Sequence, residues 1–170
     1  MATKYLLKPK LKTIKQSFSL EDENGNLIYE GNMTKFSLIG AAPFEFINHL
    51  TMHKEDHKVG KTVTVEEDGN ALLSLMSKKS YFKYDGKKIW DYLHDQGIRI
   101  DSALAGNKLG MRYDVTLKGR HLATIANSSP KGKSFIATDL YYDVTCEEED
   151  LDMAFLVAFS IAKTDQTFYN

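Results

Sequence analysis

The sequence is poor in several features that define a protein class. It contains one cysteine, three prolines and one tryptophan in 170 residues. The single Cys146 excludes an intrachain disulfide framework and any metal site built from several cysteines, and it is typical of a reducing compartment. The net charge is only −1, without the global basic character of many nucleic-acid-binding proteins. We therefore expect no nucleic-acid partner.

The N-terminal residues also lack the pattern of an export signal. Lys4, Lys8, Lys10 and Lys12 are spread among apolar residues, whereas a signal peptide places an apolar run of about 7–15 residues after its basic start. The alternation of charged and apolar residues predicts a strand. We therefore expect a cytoplasmic protein.

Most of the chain consists of short apolar runs separated by turn signals that contain glycine. Phe18 and Leu20 precede Asn24-Gly25, and Leu27 and Tyr29 follow it. Alternation with period two, bounded by Asn-Gly or Asp-Gly, indicates half-buried strands joined by tight hairpins. Further signals of this kind are Asp68-Gly69-Asn70, Asp85-Gly86, Ala105-Gly106-Asn107, Lys118-Gly119 and Pro130-Lys131-Gly132. Roughly eight to twelve strands at hairpin spacing favour a barrel or a sandwich.

Two segments depart from this alternation. Residues 87–96 place apolar side chains at helical spacing before Gly97, which predicts a short helix that ends there. Residues 41–58 fit a helix or strands, and we favour strands because residues 59–66 then form the return arm.

The C-terminal segment predicts a buried helix. Thr145 and Glu148 have the spacing of a capping box, and the residues after Asp150 are apolar or small in every direction around a helix. Such a helix must be surrounded by lipid or by protein. Its run of about a dozen apolar residues is shorter than the roughly 20 needed to cross a bilayer, so we expect no transmembrane helix. The sequence therefore predicts a β-barrel wrapped around a helix of residues 146–162, roughly 25 Å long.

Three stretches resemble the tubby-like superfamily, which includes the tubby C-terminal domain, the LURP-one-related proteins and the phospholipid scramblases. "KYLLKPKLKTIKQSFSLEDENGNLIYEG" looks like the opening strand and hairpin, and "YDVTLKGRHLATI" looks like a late hairpin. "EEEDLDMAFLVAFSIAKTDQTF" looks like the central helix. The resemblance, to a bacterial type of member, implies one domain over residues 1–170. It also implies a closed antiparallel barrel of about twelve strands around the hydrophobic C-terminal helix.

The same resemblance implies phosphoinositide or anionic-lipid binding, without a catalytic centre. The chain lacks two features of the scramblases: carboxylates at calcium-loop spacing and a Cys-rich palmitoylation segment. Lipid scrambling is therefore not expected.

The densest group of basic residues is interleaved with aromatic residues. We call these five lysines the basic cluster: Lys78, Lys79, Lys83, Lys87 and Lys88. In a hairpin, this pattern suits anionic lipid headgroups, at roughly 1 kcal/mol for each lysine near an anionic membrane. The alternative is a solvated strand face on which lysine prevents edge-to-edge pairing.

Other reactive residues give weaker signals. His49, His53 and His57 recur every fourth residue, on one face of either a helix or a strand. A strand would separate the outer pair by about 26 Å. A helix would bring neighbours together, but no general-base motif lies nearby, and we predict no metal site. Cys146 is followed by four carboxylates, which indicates a structural thiol rather than a nucleophile. Asp150 and Asp152 are interpreted as helix-start charges; Asp152 would need a partner if it were buried. The chain has no phosphate-binding glycine motif and no nucleophile elbow.

Two functional hypotheses follow, and an enzyme ranks below both. The first is a non-enzymatic intracellular protein, without a cofactor, that binds anionic phospholipid headgroups or a protein partner through its barrel surface. The second is a carrier of a small hydrophobic ligand in a barrel cavity. A cavity beside the helix would favour the carrier, and a fully packed interior would favour the surface binder.

Overall fold

The structure, a computed structural model, describes residues 2–10, 16–33, 42–50, 62–67, 80–84, 87–104, 111–128 and 141–169. It is mainly β, with a C-terminal helix packed on a large antiparallel sheet. The strands are β1 (Thr3–Lys10), β2 (Ser17–Glu21), β3 (Leu27–Met33), β4 (Ala42–Asn48), β5 (Thr62–Glu67), β6 (Ser80–Tyr84), β7 (Lys87–Lys88), β8 (Ile98–Leu104), β9 (Met111–Leu117), β10 (Arg120–Ser128) and β11 (Tyr141–Cys146). The helices are α1 (Ile89–Asp95) and α2 (Leu151–Tyr169), with a 3₁₀ turn at Glu148–Asp150.

The sheet has eleven strands in the order β7-β6-β5-β4-β3-β2-β1-β11-β10-β9-β8. All pairings are antiparallel, and β1 joins the last strand, β11, to the N-terminal half of the sheet. The prediction of an antiparallel hairpin fold is therefore confirmed. The predicted closed barrel of about twelve strands goes beyond the pairings found here, because none of the described residues pairs β7 with β8.

Two of the predicted tight turns form as expected. At the β2–β3 turn Gly25 has φ +81°, and the Asp22 carboxylate accepts hydrogen bonds from the backbone N–H groups of Asn24 and Asn26, each at 2.9 Å. At the β9–β10 turn Lys118 and Gly119 have φ +50° and +83°. Positive φ at two adjacent positions matches the right-handed twist of a hairpin. The remaining signals, such as Asp85-Gly86, lie outside the described residues.

The segment 41–58 is partly a strand, as predicted. Ala42–Asn48 forms β4, and its first four residues pair with β5, so the predicted return arm is confirmed over the described residues. His49 and Leu50 are helical instead, which corrects the prediction at these positions. The Asn48 side-chain oxygen accepts a hydrogen bond from the Leu50 N–H at 3.0 Å, and such a local bond starts a turn at the expense of the sheet. The later residues of the segment lie outside the described ranges.

The short helix α1 confirms the prediction for residues 87–96. It buries Ile89 and Leu93, and the chain leaves it through Gly97 at φ +90°. A residue with φ of this kind is a common end for a helix. Helix α1 connects the two outermost strands, β7 and β8, and contacts both of them as well as β6.

The capping box predicted at Thr145 and Glu148 is wrong. Thr145 and Cys146 belong to β11, where Thr145 is paired with Lys4 on one side and Thr124 on the other. Two ladders therefore hold this backbone extended, and α2 begins later than predicted, at Leu151. The Arg120 guanidinium donates two hydrogen bonds to the Asp150 carboxylate, at 2.9 and 3.0 Å, and anchors the entry to α2 on β10.

The core forms around α2. Every residue from Ala154 to Ala162 is buried, which covers all directions around the helix, as predicted. The Phe159 ring lies 4.7 Å from that of Phe18 in β2 and 5.2 Å from that of Phe44 in β4. The Ser160 hydroxyl donates to the Leu156 carbonyl at 2.8 Å, so the polar group within this core is satisfied. Protein thus surrounds the helix over two and a half turns.

Candidate binding site

Three lysines of the basic cluster, Lys83, Lys87 and Lys88, lie on the hairpin formed by β6 and β7. The backbone register places Lys83 opposite Lys88 and Tyr84 opposite Lys87. The side chains of Lys87 and Lys88 are exposed. Lys78 and Lys79 lie outside the described residues. The structure therefore brings three of the five predicted lysines together at one end of the sheet.

Lys87 of the basic cluster has an acidic partner. The Lys87 ammonium lies 2.9 Å from the Asp95 carboxylate at the end of α1, and both side chains are more than half exposed. The hydrogen bond and the charge of Lys87 hold the pKa of Asp95 below its usual range. Lys87 is thus tied to α1, and its charge is partly offset.

A pocket of about 180 Å³ opens beside the first turns of α2. Strands β3, β4 and β6 and both helices supply its wall. Four of the seven lining side chains are aromatic and one is a carboxylate: Tyr29, Phe46, Tyr84, Tyr92, Asp152, Met153 and Leu156. Tyr84 belongs to the same hairpin as the basic cluster, so the pocket and the cluster share an element.

The carboxylate of this pocket has two hydrogen-bond partners. The Asn48 amide donates to Asp152 Oδ1 at 2.9 Å, and the Tyr29 hydroxyl is also hydrogen-bonded to Asp152. Burial raises the pKa of Tyr29, and the nearby Asp152 charge raises it further. Asp152 itself is exposed and lies in the first turn of α2. Its hydrogen bonds to residues of β3 and β4 also hold its carboxylate at the pocket.

Sequence reasoning did not single out most of this pocket. Tyr29 belongs to a predicted alternating strand and Phe46 to the segment 41–58, whereas Tyr92 and Asn48 carried no separate signal. The apolar alternation identified the strand faces, but the convergence of β3, β4, β6 and α1 on the start of α2 depends on tertiary structure. The one available signal was Asp152, a carboxylate at the edge of the apolar run.

The other candidate reactive residues show no catalytic arrangement in the described part of the chain. Burial, together with Asp150 and Glu147, raises the pKa of Cys146 to about 12, which opposes thiolate formation near neutral pH. His49 Nε2 lies 3.4 Å from a Glu30 carboxylate oxygen without hydrogen-bond geometry. His53 and His57 lie outside the described residues. Within those ranges no group of three or more His, Cys, Asp or Glu side chains is placed to hold a metal ion.

Comparison of the chain with protein families, curated proteins and solved structures finds no match. Among the described residues, neither helix combines the length and the hydrophobicity that a membrane span requires.

Proposed function

We propose that this chain is a non-enzymatic, tubby-like protein that binds anionic phospholipid headgroups through the basic cluster. The observation that carries the proposal is the pairing of Lys83 with Lys88 in the β6–β7 register. Like charges directly opposite each other destabilise an antiparallel pair. An anion bound between the two lysines relieves this repulsion.

The surroundings of the pair also suit an anionic surface. Lys87 and Lys88 are exposed, and Trp90, two residues after Lys88, is 41 % exposed. Tryptophan favours the interface between water and lipid, where one part of its ring is wet and the other is apolar. The Lys87–Asp95 pair weakens the positive field, but both side chains are largely exposed, where an ion pair contributes little.

The barrel is part of the same proposal. Helix α1 contacts β6 and β7 at one end of the strand order and β8 at the other end. A single helix of seven residues therefore bridges the two outermost strands. Together with the burial of residues 154–162 in all directions around α2, this supports a sheet that closes around the helix.

Sedimentation with vesicles of pure phosphatidylglycerol tests the headgroup proposal. We expect the parent protein to sediment with the vesicles and the triple variant Lys78→Glu, Lys79→Glu, Lys83→Glu to remain in solution. A matched control, Lys4→Glu, Lys10→Glu, Lys118→Glu, makes the same change in net charge on other strands and turns. The proposal fails if the parent does not bind, or if both triple variants lose binding equally.

The pocket gives a specific reason to retain the carrier as a second candidate. Its volume of about 180 Å³ equals roughly six water molecules of liquid volume. This is room for a small ligand or one chemical group, and too little for a fatty acyl chain. Native mass spectrometry of the purified protein tests this candidate, because a carrier retains a bound small molecule whose mass disappears on denaturation.

A further inference from the structure

The pocket beside α2 combines aromatic walls with a single carboxylate. The rings of Tyr84 and Tyr92 are 4.5 Å apart and inclined at 61°, and those of Tyr29 and Phe46 are 6.3 Å apart and inclined at 73°. Both pairs therefore form angled walls rather than one flat stack. A group that enters the pocket therefore meets four aromatic side chains from three strands and α1.

The carboxylate is held in place by the sheet. Asn48 and Tyr29 are cross-strand partners in β4 and β3, and both hydrogen-bond to Asp152 at the start of α2. The fold thus fixes a negative charge at the pocket.

We propose that this pocket binds an organic ammonium cation, with a quaternary ammonium group such as that of choline as the best fit. Aromatic ring faces attract such cations at distances within about 6 Å of the ring centroid. Asp152 supplies the opposite charge, and Met153 and Leu156 supply apolar contacts for the methyl groups.

Other ligand classes fit this pocket less well. An anion is repelled by Asp152. An uncharged apolar group would bury the aromatic surface but would also remove water from the carboxylate without supplying an opposite charge, which is costly. A small metal cation would contact one carboxylate and rings, although hard cations need several oxygen ligands. The volume, about 180 Å³, matches a compact group of about six non-hydrogen atoms.

The test compares choline with dimethylbutanol, its uncharged carbon isostere, by calorimetric titration and by ligand-observed NMR of the methyl protons. We expect choline to bind in the millimolar range or tighter, and dimethylbutanol to bind about tenfold more weakly or not at all. Equal binding of the two probes, or no binding of choline at millimolar concentrations, would overturn the proposal.

Variants locate the site. Asp152→Asn keeps the size of the side chain and removes its charge, and we expect choline binding to weaken about tenfold. Tyr92→Leu removes one wall from a half-buried helix position, and we expect a loss of about fivefold. Asp101→Asn, at an exposed position of β8 that does not line the pocket, is the matched control and should bind like the parent. Unchanged binding in folded Tyr92→Leu would contradict the assignment even if Asp152→Asn failed to fold.

The ammonium group has two sources that the test distinguishes, a free solute and a lipid headgroup. Vesicles of pure phosphatidylcholine carry the group without net charge, whereas those of phosphatidylglycerol carry charge without the group. If the protein associates with phosphatidylcholine vesicles and Asp152→Asn abolishes the association, the lipid headgroup is the source. If the protein binds free choline but not the vesicles, the source is a solute. Because the basic cluster is tested on phosphatidylglycerol, either proposal can fail while the other stands.

Discussion

Burial determines the hydrogen bonding and the protonation of individual polar residues in this protein. Asn48 is 4 % exposed, yet its amide donates to Asp152 and its side-chain oxygen accepts from Leu50, so both ends of the side chain are satisfied. Cys146 is 2 % exposed and lies where β11 ends before four acidic residues. Burial and these charges act in the same direction, and both favour the neutral thiol.

For Cys146 we predict slow reaction with an aromatic disulfide reagent in the native protein and fast reaction in urea. The thiol is the only one in the chain, so the released chromophore reports this residue alone. Its pKa is raised to about 12 in the folded state, so its contribution to stability is complete below the ordinary thiol pKa and is lost as the pH rises toward 12. Comparison of urea unfolding with that of Cys146→Ala at several alkaline pH values measures this contribution. Equal reactivity in the folded and unfolded protein would contradict the prediction.

At the scale of elements, the close approach of β3 to its neighbours depends on a residue without a side chain. Gly31 is buried in β3, opposite Phe46 of β4. A Cβ atom at this position would lie 2.9 Å from two atoms of the Phe46 ring and 3.4 Å from the Phe155 ring. The Phe46 ring is itself packed against Phe155 and Phe159, with centroids 5.0 and 5.1 Å away. It therefore has little room to move.

Gly31→Ala is expected to lower the free energy of unfolding by about 1–3 kcal/mol, since overpacking a filled core has this cost. Urea unfolding measures the change. The double variant Gly31→Ala, Phe46→Leu provides the control, because a smaller residue at 46 relieves the overlap. We expect the double variant to lose less stability than the sum of the two single variants. Strict additivity would show that the Phe46 ring is not the obstacle.

For the molecule as a whole, α2 is the element on which distant parts of the sheet meet. Phe159 contacts aromatic rings from β2 and β4, and Phe155 contacts rings from β3 and β4. The start of the same helix carries Asp152 into the pocket. Loss of packing on α2 should therefore affect the whole fold cooperatively rather than one hairpin.

Phe159→Ala is expected to lower the free energy of unfolding by about 3–5 kcal/mol, because it leaves a cavity among three rings. Trp90→Ala, which removes another large aromatic side chain from a position that is 41 % exposed, should cost far less. Circular dichroism and tryptophan-independent probes such as tyrosine fluorescence follow the transition in urea. Similar losses in the two variants would contradict the central position of α2.

The local pattern of this chain is determined largely by its sequence. Alternation of apolar residues with glycine-containing turns is enough to define the hairpins at Gly25 and at Lys118-Gly119, because positive φ and strand periodicity are properties of a few neighbouring residues. The burial of residues 154–162 of α2 also follows from their nearly uniform apolar character, since such a stretch of helix cannot face water.

Tertiary structure alone decided where α2 begins and which residues its first turn contacts. Thr145 has the composition of a helix cap, but pairing with β1 and β10 keeps it in a strand. The pocket likewise joins Tyr29, Tyr92 and Asp152, which are far apart in the chain. Sequence pattern carries no information about such convergence, because the contacts depend on how the strands and helices are arranged around the core.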